Sequence, residues 1–163
     1  MHRRFAAGIL AVALAFVPGR TAPRDFAIGV TVGSPMGLSF LQNIDSASAI
    51  QGALEWGVYH TFVAHADYLF KIGSLFPIDP QYGKLLLNYG PGARLEIGDR
   101  DLSLFGPYRH SENARVALRF PVGLQYYIPR VPFDVFVEVA PMLALWHATN
   151  LDLTAAFGLR FDL

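Results

Sequence analysis

The side chains of this chain with the greatest capacity for chemistry are charges that recur at every second position of apolar segments. Successive side chains of a strand project to opposite faces, so these charges fall on one face of each predicted strand. Carboxylates and guanidiniums enclosed together must pair or lose their hydration at high cost. The sequence therefore predicts one internal charge network, formed by Glu55, His65, Asp67, Arg94, Glu96, Arg115, Arg119, Glu138, Asp152 and Arg160.

The segment His110-Ser111-Glu112 offers a second kind of chemistry. A serine nucleophile needs a histidine as base and a carboxylate to orient that base. His110 and Ser111 are adjacent, and adjacent side chains of an extended strand diverge. A polar loop tip is therefore the favoured interpretation of this segment, and no catalytic residue is predicted.

Metal and phosphate sites are not predicted. His60, His65 and His147 are scattered, with no pair spaced to share one strand face, whereas a zinc site needs several ligands brought together. Gly90-Pro91-Gly92 is interpreted as a strand kink, because no helix follows it to bind a phosphate. No cofactor is predicted.

The last segment shows the alternation of apolar and polar side chains most clearly. Its apolar members are Leu151, Leu153, Ala155, Phe157, Leu159, Phe161 and Leu163, and its opposite face carries Asp152, Thr154, Gly158, Arg160 and Asp162. Repeated around a small protein, this pattern is typical of a barrel that is apolar towards lipid and polar towards its lumen. The alternation predicts eight strands, over residues 26–32, 38–44, 50–56, 62–71, 85–96, 115–127, 133–139 and 151–163.

An even number of strands puts both termini at the same end of a barrel, as in bacterial outer-membrane barrels. The interior of an eight-stranded barrel is just wide enough for side chains to fill it. The predicted charge network is therefore interpreted as a structural plug, with a selective pore or a proton path as the alternative. The connection 98–113 is the longest and most polar, and it would be extracellular if both termini are periplasmic.

The N-terminal segment has the features of a secretory signal. Arg3 and Arg4 precede an apolar run of thirteen residues, 5–17, that Pro18 and Gly19 end. A bilayer-spanning helix needs about 20 apolar residues, so the run suits a cleaved leader better than a span. We expect a signal peptide over 1–19, with its end no later than residue 25, and a barrel domain over 26–163.

Composition narrows the class further. The chain has no cysteine, which leaves no disulfide, thiolate metal site or lipid anchor. Thirteen basic and thirteen acidic residues balance, and without the arginines of the leader the chain is slightly acidic. No basic patch indicates nucleic acid. Hydrophobic residues make up 53% of the chain, yet no run after residue 17 is long enough for a membrane helix.

The whole pattern resembles the small eight-stranded outer-membrane barrels called OmpA- or OmpX-like. It resembles more closely a group of exported barrel proteins without assigned function, through the segments 33–39 (GSPMGLS), 65–69 (HADYL), 132–141 (PFDVFVEVAP) and 155–161 (AAFGLRF). The resemblance implies a monomer in the bacterial outer membrane, with membrane lipid and the barrel-assembly machinery as partners.

The sequence thus predicts an all-β, eight-stranded antiparallel up-and-down transmembrane barrel with a structural or surface-interaction role and no enzymatic activity. Two alternatives stay open. One is a membrane-embedded lipid A-modifying hydrolase using His110 and Ser111, since residues 110–113 loosely resemble the histidine-x-serine-asparagine motif of lipid A deacylase barrels. The other is a soluble periplasmic ligand-binding barrel, which would have an apolar interior and a polar exterior.

Overall fold

The structure is a computed structural model that describes residues 25–33, 35–57, 61–98, 114–145 and 151–163. None of the helices in this part of the chain is long and apolar enough to cross a membrane. A single 3₁₀ turn (Pro80–Tyr82) lies among ten β segments. The segments are β1 (Phe26–Gly33), β2 (Met36–Asn43), β3 (Ser48–Trp56), β4 (Phe62–Ile72), β5 (Lys84–Tyr89), β6 (Gly92–Ile97), β7 (Arg115–Arg119), β8 (Val122–Tyr127), β9 (Phe133–Ala144) and β10 (Leu151–Asp162).

The ten segments form eight strands of one closed antiparallel sheet. Both β5 and β6 pair with β4, so they are halves of one strand. Both β7 and β8 pair with β9 and form another. The sheet closes where β1 pairs with β10, with Val30 opposite Leu159. The predicted all-β, eight-stranded antiparallel barrel is confirmed.

Prolines explain why two of the strands are divided. At one level of the wall, Tyr68 N donates to Pro91 O at 2.9 Å, Gly90 N to Pro121 O at 3.2 Å, and Phe120 N to Pro141 O at 3.0 Å. Proline has no backbone N–H, so each of these prolines accepts a hydrogen bond from the neighbouring strand but donates none to it. The strand is thus interrupted at residues 90–91, within the segment where the sequence predicts a kink, and a second interruption lies at residues 120–121.

The strand that ends in Ala144 is longer than the sequence analysis expected. Its predicted end was Val139, but β9 continues through Pro141, which lies opposite Leu153. A proline on a strand costs one ladder hydrogen bond but keeps an extended conformation. On either side of Pro141, Ala140 and Met142 remain paired with β10, so the register of the two strands is kept. The first turn is also tighter than predicted, because β2 already begins at Met36.

The two faces of the sheet differ sharply in polarity. On the outer face Val30 and Val137 are each 50% exposed and Phe157 is 58% exposed. On the inner face Asp134 is fully buried and Arg160 is 1% exposed. Apolar side chains lie outside and charges inside, which is the opposite of the soluble ligand-binding barrel kept as an alternative.

Both ends of the described chain meet at one end of the barrel, where Leu163 N donates to Phe26 O at 2.8 Å. We call this the terminal end. The connections after β2, β4 and β8 lie there too, since the strands alternate in direction. In the first of these, Asp45 Oδ1 accepts a hydrogen bond from Ala47 N at 2.7 Å. Backbone hydrogen bonds of this kind lower the pKa of Asp45 below its ordinary value.

Gly158 makes room for a bulky side chain inside the barrel. A Cβ at this position would lie 2.4 Å from Cε1 of the Phe136 ring and 2.5 Å from Val30 O. At Gly52, by comparison, the nearest atom would be His65 O at 3.2 Å.

We therefore expect Gly158→Ala to lower the free energy of unfolding by about 1–3 kcal/mol, as overpacking in close-packed interiors does. Gly52→Ala is the matched control and should cost clearly less. Urea titrations of the two variants measure the difference. Equal stability of Gly158→Ala and Gly52→Ala would show that Phe136 is not packed against residue 158.

Candidate functional site: the polar lumen

The structure places all ten residues of the predicted charge network on the inner face of the barrel. Alternate side chains of each strand point into the lumen, as the period-two pattern of the sequence predicts. Buried and exposed positions alternate in this way along β4 and β9. Burial is nearly complete for most members, whereas 30% of the Arg115 side chain is exposed. The ten residues form separate groups of contacts, which differ in geometry.

The tightest group is a chain of hydrogen bonds that crosses the lumen. Arg119 Nη2 donates to Glu138 Oε1 at 2.6 Å, and Gln51 Nε2 donates to the other oxygen of Glu138 at 2.6 Å. The Gln51 Oε1 atom in turn accepts from Arg160 Nη2 at 2.6 Å. Gln51 therefore connects the two deeply buried arginines through its two amide atoms. We call this group the central chain.

The central chain continues on the other side of Arg160. Arg160 Nε donates to Ser39 Oγ at 2.9 Å, and its Nη1 lies 3.8 Å from Asp134 Oδ1. Gln125 Nε2 donates to the same Asp134 oxygen at 2.9 Å, and Asn88 Nδ2 donates to Gln125 Oε1 at 2.9 Å. Residues of seven β segments are linked in this way, so the network connects opposite walls of the barrel.

An aromatic ring supports the most deeply buried cation. The Arg160 guanidinium carbon lies 3.8 Å from the centroid of the Phe136 ring. A cation so placed over a ring face is attracted by the ring quadrupole, more strongly when water is excluded. The close approach that Gly158 permits thus positions the ring against Arg160.

A second group lies in the half of the lumen remote from the terminal end, and its contacts are longer. His65 Nδ1 is 3.7 Å from Glu55 Oε2, and His65 Nε2 is 3.7 Å from Asp67 Oδ2. Arg119 Nε lies 3.3 Å from Asp67 Oδ1 and joins this group to the central chain. Glu55 Oε2, His65 Nδ1 and both Asp67 carboxylate oxygens are buried without a hydrogen bond. Polar packing is therefore looser here than in the central chain.

Two further pairs complete the predicted set. Arg94 Nε lies 3.7 Å from Glu96 Oε2, and Arg115 Nη1 lies 3.8 Å from Asp152 Oδ2. The second pair is the more exposed, and such pairs contribute little to stability.

Sequence reasoning missed the connecting residues of the site. The predicted network contains only formally charged side chains, so it omits the amides of Gln51, Asn88 and Gln125, and it also omits Asp134. The missing signal was available, because an inward amide carries a donor and an acceptor and can link two like charges. Lys71, which is also absent from the predicted network, hydrogen-bonds Asn43, and its Nζ lies 3.4 Å from the Tyr127 hydroxyl.

The residues of the alternative hydrolase site, His110 and Ser111, lie outside the described residues. Among the residues that are described, no three histidine, aspartate, glutamate or cysteine side chains converge in a way that could hold a metal ion.

Comparison with known proteins gives a structural match. No family model matches the sequence, and neither does any curated protein. The chain is similar to the crystal structure of the N-terminal β-barrel domain of Pseudomonas aeruginosa OprF, with a TM-score of 0.57 and 13% identity over 88% of this chain and 100% of that chain. The protein has the fold of a small OmpA-like barrel.

The likeness of this OmpA-like barrel to OprF is one of fold, because at 13% identity residues cannot be transferred. The lumen must therefore be understood from its own contacts. These contacts show a polar interior with a hydrogen-bonded chain from Arg119 to Ser39, which an ion pair extends from Arg160 to Asp134, and one looser ionic group beside it.

The central chain predicts that its arginines are costly to remove. We expect Arg119→Leu to lower the free energy of unfolding by about 3–5 kcal/mol, because Glu138 would stay buried without its guanidinium partner. The control is Arg115→Leu, which removes a half-exposed partner and should cost about 0–1 kcal/mol. Urea titrations of both variants folded in detergent micelles provide the comparison. A similar loss of unfolding free energy in the two variants would mean that burial inside the lumen does not determine how much these ion pairs contribute to stability.

Proposed function

We propose that this OmpA-like barrel is an integral protein of the bacterial outer membrane. The observation that carries the proposal is the belt of exposed apolar side chains on all eight strands of the closed sheet. Soluble monomers rarely expose contiguous apolar patches larger than a few hundred Å². A closed sheet also satisfies its backbone hydrogen bonds internally, as a chain in hydrocarbon must.

The leader and the partners follow from that location. A signal peptide over residues 1–19 would direct export, and the domain 26–163 would be inserted by the barrel-assembly machinery. The protein would be a monomer in contact with outer-membrane lipid, with no nucleic-acid partner. With the termini in the periplasm, the connection 98–113 would lie on the outer surface, since Ile97 at the end of β6 and Arg115 at the start of β7 lie remote from the termini.

The role we propose is structural, or a surface interaction, and not catalytic. Arg119, Glu138, Gln51 and Arg160 bridge the walls through bonds of 2.6 Å, which favours a lumen closed by its own side chains. Glu138 accepts hydrogen bonds from both Arg119 and Gln51, so this carboxylate is held by its neighbours and is not free for acid–base work on a substrate.

Location can be tested by fractionation and by one substitution on the outer face. The protein should fractionate with outer membranes and show heat-dependent mobility on denaturing gels. Val137→Arg should reduce the amount of heat-modifiable folded protein, because an arginine on the lipid face near the midplane costs about 2–4 kcal/mol.

The matched control is Val131→Arg, which places the same charge in the exposed turn after β8. Near a membrane interface the cost should fall to about 0–1 kcal/mol. Recovery of the wild-type protein in a soluble periplasmic fraction without detergent, or equal tolerance of both arginines, would overturn the membrane location.

The closed lumen can be tested separately by electrical recording. In planar bilayers the purified barrel should give no large, stable single-channel currents, because the central chain crosses the lumen. The double variant Gln51→Ala/Glu138→Ala truncates two side chains of the central chain, and once folded it should conduct more than wild type. Large and stable currents from the wild-type barrel would contradict the proposal and favour a porin.

A further inference from the structure

A groove at the terminal end of the barrel is not accounted for by the lumen or by the apolar belt. It has a volume of about 430 Å³ and lies between the loop that follows β4 and the turn that follows β8. Pockets that bind small molecules have volumes of about 300–1,000 Å³, so the groove is of a useful size. We call it the terminal groove.

The lining of the terminal groove is amphipathic. Its apolar part includes Phe76, Ile78 and Ile128, and its cationic side chains are Lys84 and Arg130. Both cations are exposed. Asp79 follows the lining residue Ile78 in the loop. Its carboxylate accepts hydrogen bonds from Gln81 N at 3.0 Å and from Gln81 Nε2 at 3.1 Å. The groove therefore combines an apolar floor with a positive rim.

The loop is held against the barrel at a fixed point. The Tyr126 hydroxyl donates a hydrogen bond to Tyr82 O. Gly83 follows with a φ of +99°, and a Cβ there would lie 2.5 Å from Tyr127 O. Only glycine fits such a close approach at a positive φ. The groove is thus formed by the fold itself and does not need a ligand to bring its walls together.

One of the two cations is held in an unusual conformation. Arg130 has a φ of +67°, which side chains with a Cβ adopt infrequently. Glycine or asparagine would be less strained at this turn position. Strained backbone of this kind concentrates at ligand-binding sites, where the strain is part of how a side chain is presented.

From these features we infer that the terminal groove binds one anionic glycerophospholipid, with its phosphate between Lys84 and Arg130 and an acyl chain on the apolar floor. Three observations support a lipid. Leu85 lines the groove and points to the same face of β5 as Tyr89, which is exposed in the apolar belt. The floor is apolar, and both charges at the rim are positive.

The inference rests on the proposed membrane location, because continuity with the belt matters only if lipid covers the belt. With the termini in the periplasm, the terminal end meets the inner leaflet of the outer membrane. A lipid held there would be a specific annular lipid, distinguished from its neighbours by the ion pairs that its phosphate makes.

The test uses isotope-labelled protein folded in micelles of an uncharged maltoside detergent. Dihexanoyl phosphatidylglycerol is titrated in, and the amide chemical shifts of Lys84, Ile128 and Arg130 are followed. We expect saturable shifts at these residues. Inorganic phosphate and uncharged dihexanoylglycerol should each cause much smaller shifts, because neither presents both the anion and the acyl chains.

Two variants separate the charge from the fold. Arg130→Gly removes the guanidinium and suits a φ of +67°, so the urea midpoint should stay unchanged or rise. Lys84→Gln removes the second charge. Each should weaken phosphatidylglycerol binding about tenfold, as loss of one charge-assisted contact does. Arg109→Gln, in the segment of the sequence that joins β6 to β7, removes one charge of the same sign; it is the charge-matched control and should bind as wild type does.

Several outcomes would overturn the inference. Equal shifts with inorganic phosphate would indicate a simple anion site, and equal shifts with dihexanoylglycerol would indicate nonspecific contact with the belt. Unchanged affinity in both Arg130→Gly and Lys84→Gln would exclude the two cations as ligands. Since the protein would still fractionate with membranes in each case, these results are distinct from a failure of the proposed location.

Discussion

The structure depends on the burial of two guanidiniums inside the barrel. Arg119 and Arg160 are 2% and 1% exposed, and an unpaired charge at that depth would cost several kcal/mol. Gln51 lies between them, accepting from one and donating to the carboxylate that binds the other. The two like charges are thereby neutralised by separate carboxylates, Glu138 and Asp134, and kept apart by a neutral amide. Rearranging any one member would leave another without its partner.

This requirement extends into the backbone of the wall. The Phe136 ring that supports Arg160 fits because residue 158 lacks a side chain. A polar interior also leaves the apolar residues of each strand on the outer face, since alternate side chains must point in opposite directions. The polar lumen and the apolar belt are therefore one pattern seen from two sides. In water the belt would have no partner, whereas in a bilayer it would be covered by lipid.

Much of the fold could be predicted from the sequence, because period-two alternation reports local geometry. It located the eight strands, the kink at residues 90–92 and the inner position of the charged residues. The alternation does not show which side chains meet across the lumen. Gln51 and Glu138 are 87 residues apart in the sequence, and their contact depends on how the barrel closes and on the register of its strands. The terminal groove could not be predicted from the sequence for a related reason, because it forms where two connections that are distant in sequence approach each other. The predicted end of β9 at Val139 is wrong, since the strand continues through Pro141, and the sequence alone does not distinguish a proline within a strand from one that ends it.

In the proposed membrane location, the two faces of each strand meet different environments, lipid outside and protein inside. The chain has no cysteine, so single cysteines can be introduced and spin-labelled without background. Labels placed one at a time from Val135 to Ala140, in protein reconstituted into bilayers, report collision rates with oxygen and with a water-soluble nickel complex. We expect oxygen accessibility to alternate with period two, high at Val135, Val137 and Val139, while the nickel complex reaches none of these three. Uniform accessibility along β9, or strong collision of the nickel complex with the outward positions, would contradict it.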